Sequence, residues 1–320
     1  MSLIEKASKR LEELKRSGVE IPDGLAAPGA SPIREPRDGV SSIPELVVSK
    51  ADIPELRAAA TALNRAPASI YPPRVAKKIT IDLARLAAQG FVTPDAPRSP
   101  IANEFRIIKR PLIANVQGRS GIRPKNANLV MMTSALAGEG KSFCAINLAI
   151  SIALELDNTV LLVDADVASP AVLNTLGLPP APGLMDVLTD PKRDLASVIL
   201  RTNIEKLSIL PAGTPHQRAT EHLASDAMNR LVEELATRYP DRIIVFDSPP
   251  LLQTTESPAV ATHMGQIVVV VEAESTTAGV LKHALATIEQ CPVVMMLLNK
   301  GRVSEIGAYS GYGYGYRYAP

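Results

Sequence analysis

Residues 129–143 read LVMMTSALAGEGKSF, an apolar run followed by a glycine-containing loop and the start of a helical pattern. The run Leu129 to Thr133 has the length and the unbroken apolar character of a buried strand. The loop 135–142 matches the pattern GxxxxGK[ST], except that Ala135 replaces the first glycine. A strand, such a loop and a helix in this order predict a phosphate-binding loop at a helix N-terminus.

The residue types in this loop suit a nucleotide that carries phosphates and Mg²⁺. Glycines allow backbone N–H groups to wrap around phosphates, a lysine neutralises the β- and γ-phosphates, and a hydroxyl ligates Mg²⁺. We therefore expect the ATP contacts to come from consecutive residues, namely Gly138, Glu139, Gly140, Lys141, Ser142 and Phe143.

Acidic residues follow two further apolar runs. Asp164 and Asp166 come directly after the run Val160 to Val163, and Asp247 follows Ile243 to Phe246. Two carboxylates two positions apart at the end of a strand face the same way. They can hold a Mg²⁺-bound water and orient a nucleophile, and Asp247 is placed to face Mg²⁺ as in a Walker-B strand.

Asn299 follows the apolar run Val293 to Leu298. Its amide suits an adenine edge, and it equally suits the end of a strand, so the sequence leaves both roles open.

The fold class follows from the pattern after residue 128. Short apolar runs alternate with amphipathic helical segments, which predicts a mostly parallel sheet covered on both faces. We therefore predict a three-layer α/β P-loop NTPase domain over 126–306, with its ligand at the carboxyl ends of the strands. The six predicted strands are 129–133, 160–163, 207–210, 243–246, 267–271 and 293–298.

The first 125 residues read as a helical and proline-rich extension, since 14 of the 27 prolines lie at or before Pro124. Segment 21–44 is typical of an extended linker. Apolar spacing predicts helices over 3–14, 53–64, 77–88 and 101–110, the last ended by Pro111. The helix 101–110, with Arg106 and Lys109 on a basic side, is a candidate subunit contact, or it packs on its own sheet alone.

Composition excludes several classes of protein. The formal net charge is +1, so no overall positive field favours nucleic acid. Cys144 and Cys291 lie in apolar runs and are expected to be reduced, buried thiols. The N-terminus lacks the apolar stretch of a signal peptide and no apolar run has membrane-spanning length, so we expect a cytoplasmic protein.

Tyrosine is concentrated at the C-terminus. Five of the seven tyrosines lie within 307–320 and alternate with glycine, a pattern that cannot bury a core and predicts a mobile tail. These residues are Tyr309, Tyr312, Tyr314, Tyr316 and Tyr318.

Together the AGEGKS loop, the Val-Asp-Ala-Asp and Phe-Asp-Ser-Pro-Pro motifs and the tyrosine tail resemble the bacterial protein-tyrosine kinases. The opening Ser-Leu-Ile-Glu-Lys-Ala and the segment Glu-Phe-Arg-Ile-Ile-Lys-Arg-Pro-Leu-Ile resemble the exosortase-associated exopolysaccharide subgroup. The resemblance implies an autokinase in which ATP phosphorylates the tail tyrosines between subunits, and it covers 101–320. It implies that Lys141 and Ser142 contact ATP and Mg²⁺, that Asp164 is the base or a water-mediated metal contact, and that Asp166 and Asp247 are metal-side acids.

The resemblance also implies partners. These are a membrane polysaccharide co-polymerase that activates the kinase and recruits it to the inner membrane, a cognate tyrosine phosphatase and further copies of the chain in a homo-oligomer. Nucleic acid is not among them.

Departures from the family pattern keep two alternatives in view. A partition-type switch ATPase carries a second lysine at the position of Leu136, which argues against that class. A degenerate kinase that acts as a scaffold for the export machinery is favoured by the absence of an arginine near Ala168 and Ser169. Ala137 replaces the family's usual proline, and Asn103, Arg106 and Lys109 stand where the family's oligomerisation helix has Glu-x-x-Arg-x-x-Arg.

Overall fold

The computed structural model describes residues 77–121, 124–238 and 242–301. Within these ranges the chain forms a layered α/β domain. In chain order its elements are α1 (Leu83–Ala88), α2 (Pro100–Val116), β1 (Leu129–Ser134), α3 (Lys141–Ala153), β2 (Thr159–Asp164), α4 (Val172–Thr175), α5 (Leu184–Thr189), β3 (Leu200–Arg201), β4 (Leu207–Leu210), α6 (Ala219–Leu223), α7 (Asp226–Arg238), β5 (Arg242–Asp247), α8 (Glu256–Ala261), β6 (Gln266–Glu272), α9 (Ala278–Ala286) and β7 (Val294–Asn299).

The strands form one seven-stranded sheet in the order β3-β4-β2-β5-β1-β6-β7. Every neighbouring pair is parallel except β3 with β4. The six predicted strands and the three-layer α/β class are confirmed. The two-residue β3 was not predicted, because a strand this short carries no periodicity of its own. Since β1 lies between β5 and β6, the loop that follows β1 emerges near the middle of the sheet.

Alternate residues of the central strands feed two separate cores. Val130 and Met132 of β1 pack with α1, α2 and α3 on one face, whereas Leu129 and Met131 pack with α5, α7 and α9 on the other. The strands are therefore buried on both faces, which explains their unbroken apolar sequences. Residues on the N-terminal side of the predicted boundary at 125, among them Phe105 and Leu112, share the first of these cores.

The prediction that Pro111 ends the helix 101–110 is wrong, because α2 runs from Pro100 to Val116 with Pro111 inside it. The turns after the proline are held by tertiary contacts. Leu112 is buried in the core, and the Asn115 side chain donates to Gln266 Oε1 at 2.7 Å. These contacts outweigh the hydrogen bond that the proline nitrogen cannot donate.

The predicted helix 77–88 is also too long. Asp82 caps α1, its side chain accepting from the Arg85 N–H, so the helix begins at Leu83. The residues before it are extended instead, and Lys78 forms a parallel bridge with Arg201 at the edge of the sheet. The predicted helices 3–14 and 53–64, the linker 21–44 and the tyrosine tail lie outside the described residues.

In the ranges that the structure describes, no helix has both the length and the apolar character needed to span a membrane. Cys144 is buried, as predicted, and Cys291 is partly buried.

Candidate nucleotide and phosphotransfer site

Three carboxylates meet where β2 and β5 end. Asp164 is directly opposite Asp247 in the register of these neighbouring strands, and Asp247 is also paired with Met132 of β1. Asp166 follows β2 by two residues. All three acids are almost fully buried, with exposed fractions of 1%, 3% and 0% for Asp164, Asp166 and Asp247. The predicted acids therefore converge beside the loop that follows β1.

The P-loop lysine already contacts these acids. Lys141 Nζ lies 2.6 Å from Asp166 Oδ2 and 3.9 Å from Asp247 Oδ1. Lys141 and Ser142 are the first two residues of α3, and Lys141 Nζ lies 3.4 Å from Ser142 Oγ. A positive charge, two carboxylates and a hydroxyl thus share one small volume at the N-terminus of a helix.

The loop backbone divides into two parts. The N–H groups of Leu136 and Ala137 donate to the side chains of Glu139 and Gln253, at 2.8 and 3.0 Å. The next six N–H groups, from 138 to 143, have no acceptor among the described residues. Six consecutive unpaired donors at a helix N-terminus are an arrangement that can bind phosphate oxygens.

Gly140 fits this loop for a second reason besides its backbone angle. Its φ of +98° lies in the left-handed region, and a Cβ at this position would collide with the Asn299 side chain. Gly138 has a φ of +88° with open space around it. Both glycines therefore allow a left-handed backbone conformation, but only at Gly140 does a neighbouring side chain also leave no room for a Cβ.

Burial controls the protonation of the acids. Desolvation raises the pKa of Asp164 to about 7, with the nearby Asp247 charge adding to the effect. Desolvation also raises the pKa of Asp247 to about 6, although Lys141 beside it acts in the opposite direction. A carboxyl group with a pKa near neutrality can accept and release a proton under physiological conditions.

Several buried oxygens of the site have no hydrogen-bond partner among the described residues. They are both carboxylate oxygens of Asp247, Asp164 Oδ1 and Ser248 Oγ. Unpaired buried acceptors are costly unless a cation or a donor from a ligand meets them. The oxygen ligands that Mg²⁺ prefers are therefore present, and Ser142, Asp166 and Asp247 are the residues that would hold it.

Two predicted contact residues have other partners. The Phe143 ring packs against Phe91, with centroids 4.7 Å apart, so only its backbone N–H faces the predicted phosphate site. Asn299 Nδ2 donates to the Glu139 carbonyl at 2.9 Å. Glu139 itself is 2% exposed. Its carboxylate points away from the N–H groups of residues 138–143 and toward Leu136 and Thr276.

Sequence reasoning missed the residues that hold the loop from the β6–β7 side. Lys300 Nζ donates to the Gly138 carbonyl at 2.8 Å and lies 3.0 Å from Glu272 Oε1. The Thr276 hydroxyl donates to Glu139 Oε1. These residues belong to no motif, and only the sheet order, which places β6 beside β1, could have indicated them.

The sheet, the loop and the acids define a P-loop nucleotide-binding protein. A family model described as an AAA domain matches residues 127–295, more than half of the chain. The tyrosine-protein kinase YwqD of Bacillus subtilis (strain 168) is 30% identical over 228 residues, which are 70% of this chain and 92% of YwqD. The chain therefore belongs to the bacterial tyrosine-protein kinases.

Two further proteins are similar to this chain. The succinoglycan biosynthesis transport protein ExoP of Rhizobium meliloti (strain 1021) is 32% identical over 226 residues, 69% of this chain but 28% of ExoP. The chain thus spans nearly the whole of some relatives and less than a third of others. The solved kinase domain of the Escherichia coli tyrosine kinase ETK superposes with a TM-score of 0.58 at 25% identity, covering 75% of this chain and 93% of that domain.

Proposed function

We propose that this protein is an ATP-dependent tyrosine kinase that phosphorylates the tyrosines of its own C-terminal segment, one subunit acting on the tail of another. The observation that carries the proposal is the position of Asp164, a buried carboxyl whose raised pKa is about 7, beside Asp247, with Lys141 held by Asp166. A base, a phosphate-neutralising cation and metal-side acids therefore lie at the ends of neighbouring strands.

The loop would bind ATP through its backbone. The N–H groups from 138 to 143 donate to the phosphate oxygens, and the dipole of α3 adds partial positive charge. Lys141 leaves Asp166 and neutralises the charge on the transferring phosphoryl group. Ser142, Asp166 and Asp247 would hold Mg²⁺, which would supply further neutralisation of the phosphate charge.

Asp164 acts as the base toward the acceptor. Asp164 Oδ1 has no partner among the described residues, whereas Oδ2 accepts from the Val172 N–H at 3.0 Å. Oδ1 takes the proton of the tyrosine hydroxyl as the tyrosine oxygen bonds to the γ-phosphorus of ATP. The bond between that phosphorus and the oxygen bridging to the β-phosphate breaks, and ADP leaves with the electron pair.

The acceptors are the tail tyrosines. Alternating glycines let Tyr309, Tyr312, Tyr314, Tyr316 and Tyr318 reach an active site in turn, and the segment follows Gly301 by a few residues. The Asn299 side chain lies beside the loop and is the candidate contact for the adenine edge.

The biological role that fits is control of exopolysaccharide synthesis and export. It would involve a membrane polysaccharide co-polymerase as activator and recruiting partner, a cognate phosphatase and a homo-oligomer of the kinase. The support is the name of ExoP, a succinoglycan biosynthesis transport protein that contains a matching segment. The switch-ATPase alternative lacks support, since Leu136 is an apolar residue packed against the core rather than a second lysine.

The experiment is an ATP–Mg²⁺ incubation of the wild type, of Lys141→Met and of Lys192→Met, read by phosphotyrosine immunoblot and ATP binding. Lys192 is exposed and remote from the loop in sequence, so its variant controls for the loss of one positive charge. We expect Lys141→Met alone to abolish phosphotyrosine while keeping its circular dichroism spectrum. Undiminished phosphotyrosine in Lys141→Met would contradict the assignment of the nucleotide site.

A further inference from the structure

The carbonyl groups of the P-loop are held by two residues at the end of β7. Asn299 Nδ2 donates to the Glu139 carbonyl at 2.9 Å, and Lys300 Nζ donates to the Gly138 carbonyl at 2.8 Å. In a trans peptide the C=O of one residue and the N–H of the next point in opposite directions. Fixing these two carbonyls therefore aims the N–H groups of Glu139 and Gly140 to the other side of the loop.

The Glu139 side chain closes the same loop from within. Its carboxylate accepts from the Leu136 N–H at 2.8 Å and from the Thr276 hydroxyl, which itself accepts from the Glu272 N–H at 3.2 Å. A negative side chain inside a phosphate-binding loop repels the ligand unless it is turned away. Here it is 2% exposed and tied to the segment that follows β6.

Lys300 is itself held in place. Its ammonium lies 3.0 Å from Glu272 Oε1, and its backbone has a φ of +58°, a left-handed conformation uncommon for residues other than glycine. The Asn299 carbonyl accepts from the Ala273 N–H at 2.9 Å, which ties the end of β7 to the end of β6. Asn299 is therefore the last residue of a paired strand and Lys300 follows it directly, which suits precise positioning.

We propose that Thr276, Asn299 and Lys300 are positioning residues for the phosphotransfer reaction, acting through Gly138 and Glu139 to aim the N–H groups of the loop at the phosphates. The proposal rests on the proposed function for its role in catalysis, but its first consequence is triphosphate binding. We call these three residues, with Glu139, the loop brace.

The first test compares Lys300→Met with Lys300→Arg and Lys282→Met. Lys282 is exposed on α9, so its variant removes the same charge without touching the loop. Titration calorimetry with Mg²⁺–ATP and with inorganic triphosphate gives the affinities. Loss of one hydrogen bond from a charged donor predicts about tenfold weaker binding of both ligands by Lys300→Met, with most of it restored in Lys300→Arg.

Equal affinities for Lys300→Met and Lys282→Met would overturn the part played by Lys300. Steady-state kinetics on Lys300→Met should show a raised KM for ATP together with a lowered kcat, since misaimed donors weaken both the bound state and the transition state. A fall in thermal midpoint with no change in affinity would mean that Lys300 stabilises the fold only, and would equally overturn it.

The second test uses Thr276→Val and Thr276→Ser. Valine keeps the shape and removes the hydroxyl donor to Glu139, whereas serine keeps the hydroxyl. We expect Val to weaken triphosphate binding about tenfold and Ser to bind nearly as the wild type does. Equal triphosphate affinities of Thr276→Val and Thr276→Ser would overturn the part of the proposal in which Thr276 acts through Glu139. Binding is read without phosphotransfer, so a wild type that binds ATP but makes no phosphotyrosine would contradict the proposed function and leave the loop brace standing.

Discussion

The burial of Asp164 changes the proton affinity of its carboxyl group. This residue is 1% exposed, faces Asp247 across two strands, and has a pKa raised to about 7 by desolvation. The sequence could place it at the end of a strand beside a phosphate loop, because the apolar run and the motif are local. Its raised pKa could not be read from the sequence, because it arises mainly from burial in the folded domain, to which the charge of Asp247 on the neighbouring strand adds.

We expect Asp164→Asn to lower kcat by about 10²–10⁴-fold while leaving ATP affinity within a few-fold of the wild type, since asparagine keeps the shape but cannot accept the tyrosine proton. Single-turnover phosphotransfer and equilibrium ATP binding check this. Equal losses in binding and turnover would make Asp164 a simple nucleotide contact.

The raised pKa of Asp164 also predicts a pH-dependent stability in Mg²⁺-free buffer. Its folded pKa of about 7 exceeds the unfolded value of 3.8, so the folded state binds more protons between them and stability falls as pH rises through this window. From pH 5 to pH 8 this group costs the wild type roughly 2–3 kcal/mol of unfolding free energy. Asp164→Asn should lose that part of the decline, as urea unfolding at the two pH values would show. Parallel pH profiles for the two proteins would be inconsistent with this shift.

The two P-loop glycines should respond differently to alanine. Gly140→Ala adds a Cβ that collides with Asn299 at a left-handed φ, whereas Gly138→Ala adds one to open space at a similar φ. Both variants carry backbone strain of about 1 kcal/mol or more, but only Gly140→Ala must also displace Asn299. We expect Gly140→Ala to bind ATP at least tenfold more weakly than Gly138→Ala does, measured by calorimetry. The reverse order would argue against the packing of Asn299 on the loop.

At the scale of elements, α2 shows where local reasoning ended. Its apolar side predicted a helix and its proline predicted the end, yet the core contacts of Leu112 and the Asn115–Gln266 pair carry the helix on to Val116. The sequence likewise predicted that Lys109 lies on a basic side of this helix. The structure instead buries it, with Nζ donating to the Ser151 carbonyl and lying 2.7 Å from Glu155 Oε1. Which side of a helix meets a neighbouring helix depends on tertiary packing, which the periodicity alone does not encode.

Lys109→Ala should therefore destabilise the domain, since it leaves the Ser151 carbonyl and Glu155 without their partner on α2. We expect a loss of about 1–3 kcal/mol in the free energy of unfolding. Arg110→Ala, one residue further along the same helix and exposed, is the control and should change stability by less than about 0.5 kcal/mol. A drop in oligomer mass for Lys109→Ala with unchanged stability would instead favour a subunit contact.

At the scale of the whole molecule, the sheet order explains why the site could be predicted only in part. The loop, Asp164 and Asp247 each lie at the end of a strand, so motif spacing and the rule for parallel sheets placed them together. Thr276 and Lys300 of the loop brace follow β6 and β7, more than 130 residues after the loop, and belong to no motif. Only the pairing of β1 with β6, and of β6 with β7, brings them there.

Deleting 307–320 should remove most phosphotyrosine without impairing ATP binding, because it removes the proposed acceptors and leaves the loop 138–143 and the acids Asp164, Asp166 and Asp247 in place. Each phosphate would add about −1.5 to −2 charges to a segment whose only charged side chain is Arg317. The control is a variant in which all five tail tyrosines are replaced by phenylalanine, so that the length of the tail is unchanged. Light scattering before and after ATP treatment reports whether tail phosphorylation loosens the oligomer. ATP binding lost together with the tail would show that the segment forms part of the nucleotide site.

The most direct test of the central claim is site mapping after incubation of the wild-type protein with ATP and Mg²⁺. Mass spectrometry of the C-terminal peptide should find phosphate on tyrosines within 309–318 in the wild type and none in Lys141→Met. Phosphate on Tyr71 or Tyr239 instead of the tail, or no phosphotyrosine at all, would contradict the account.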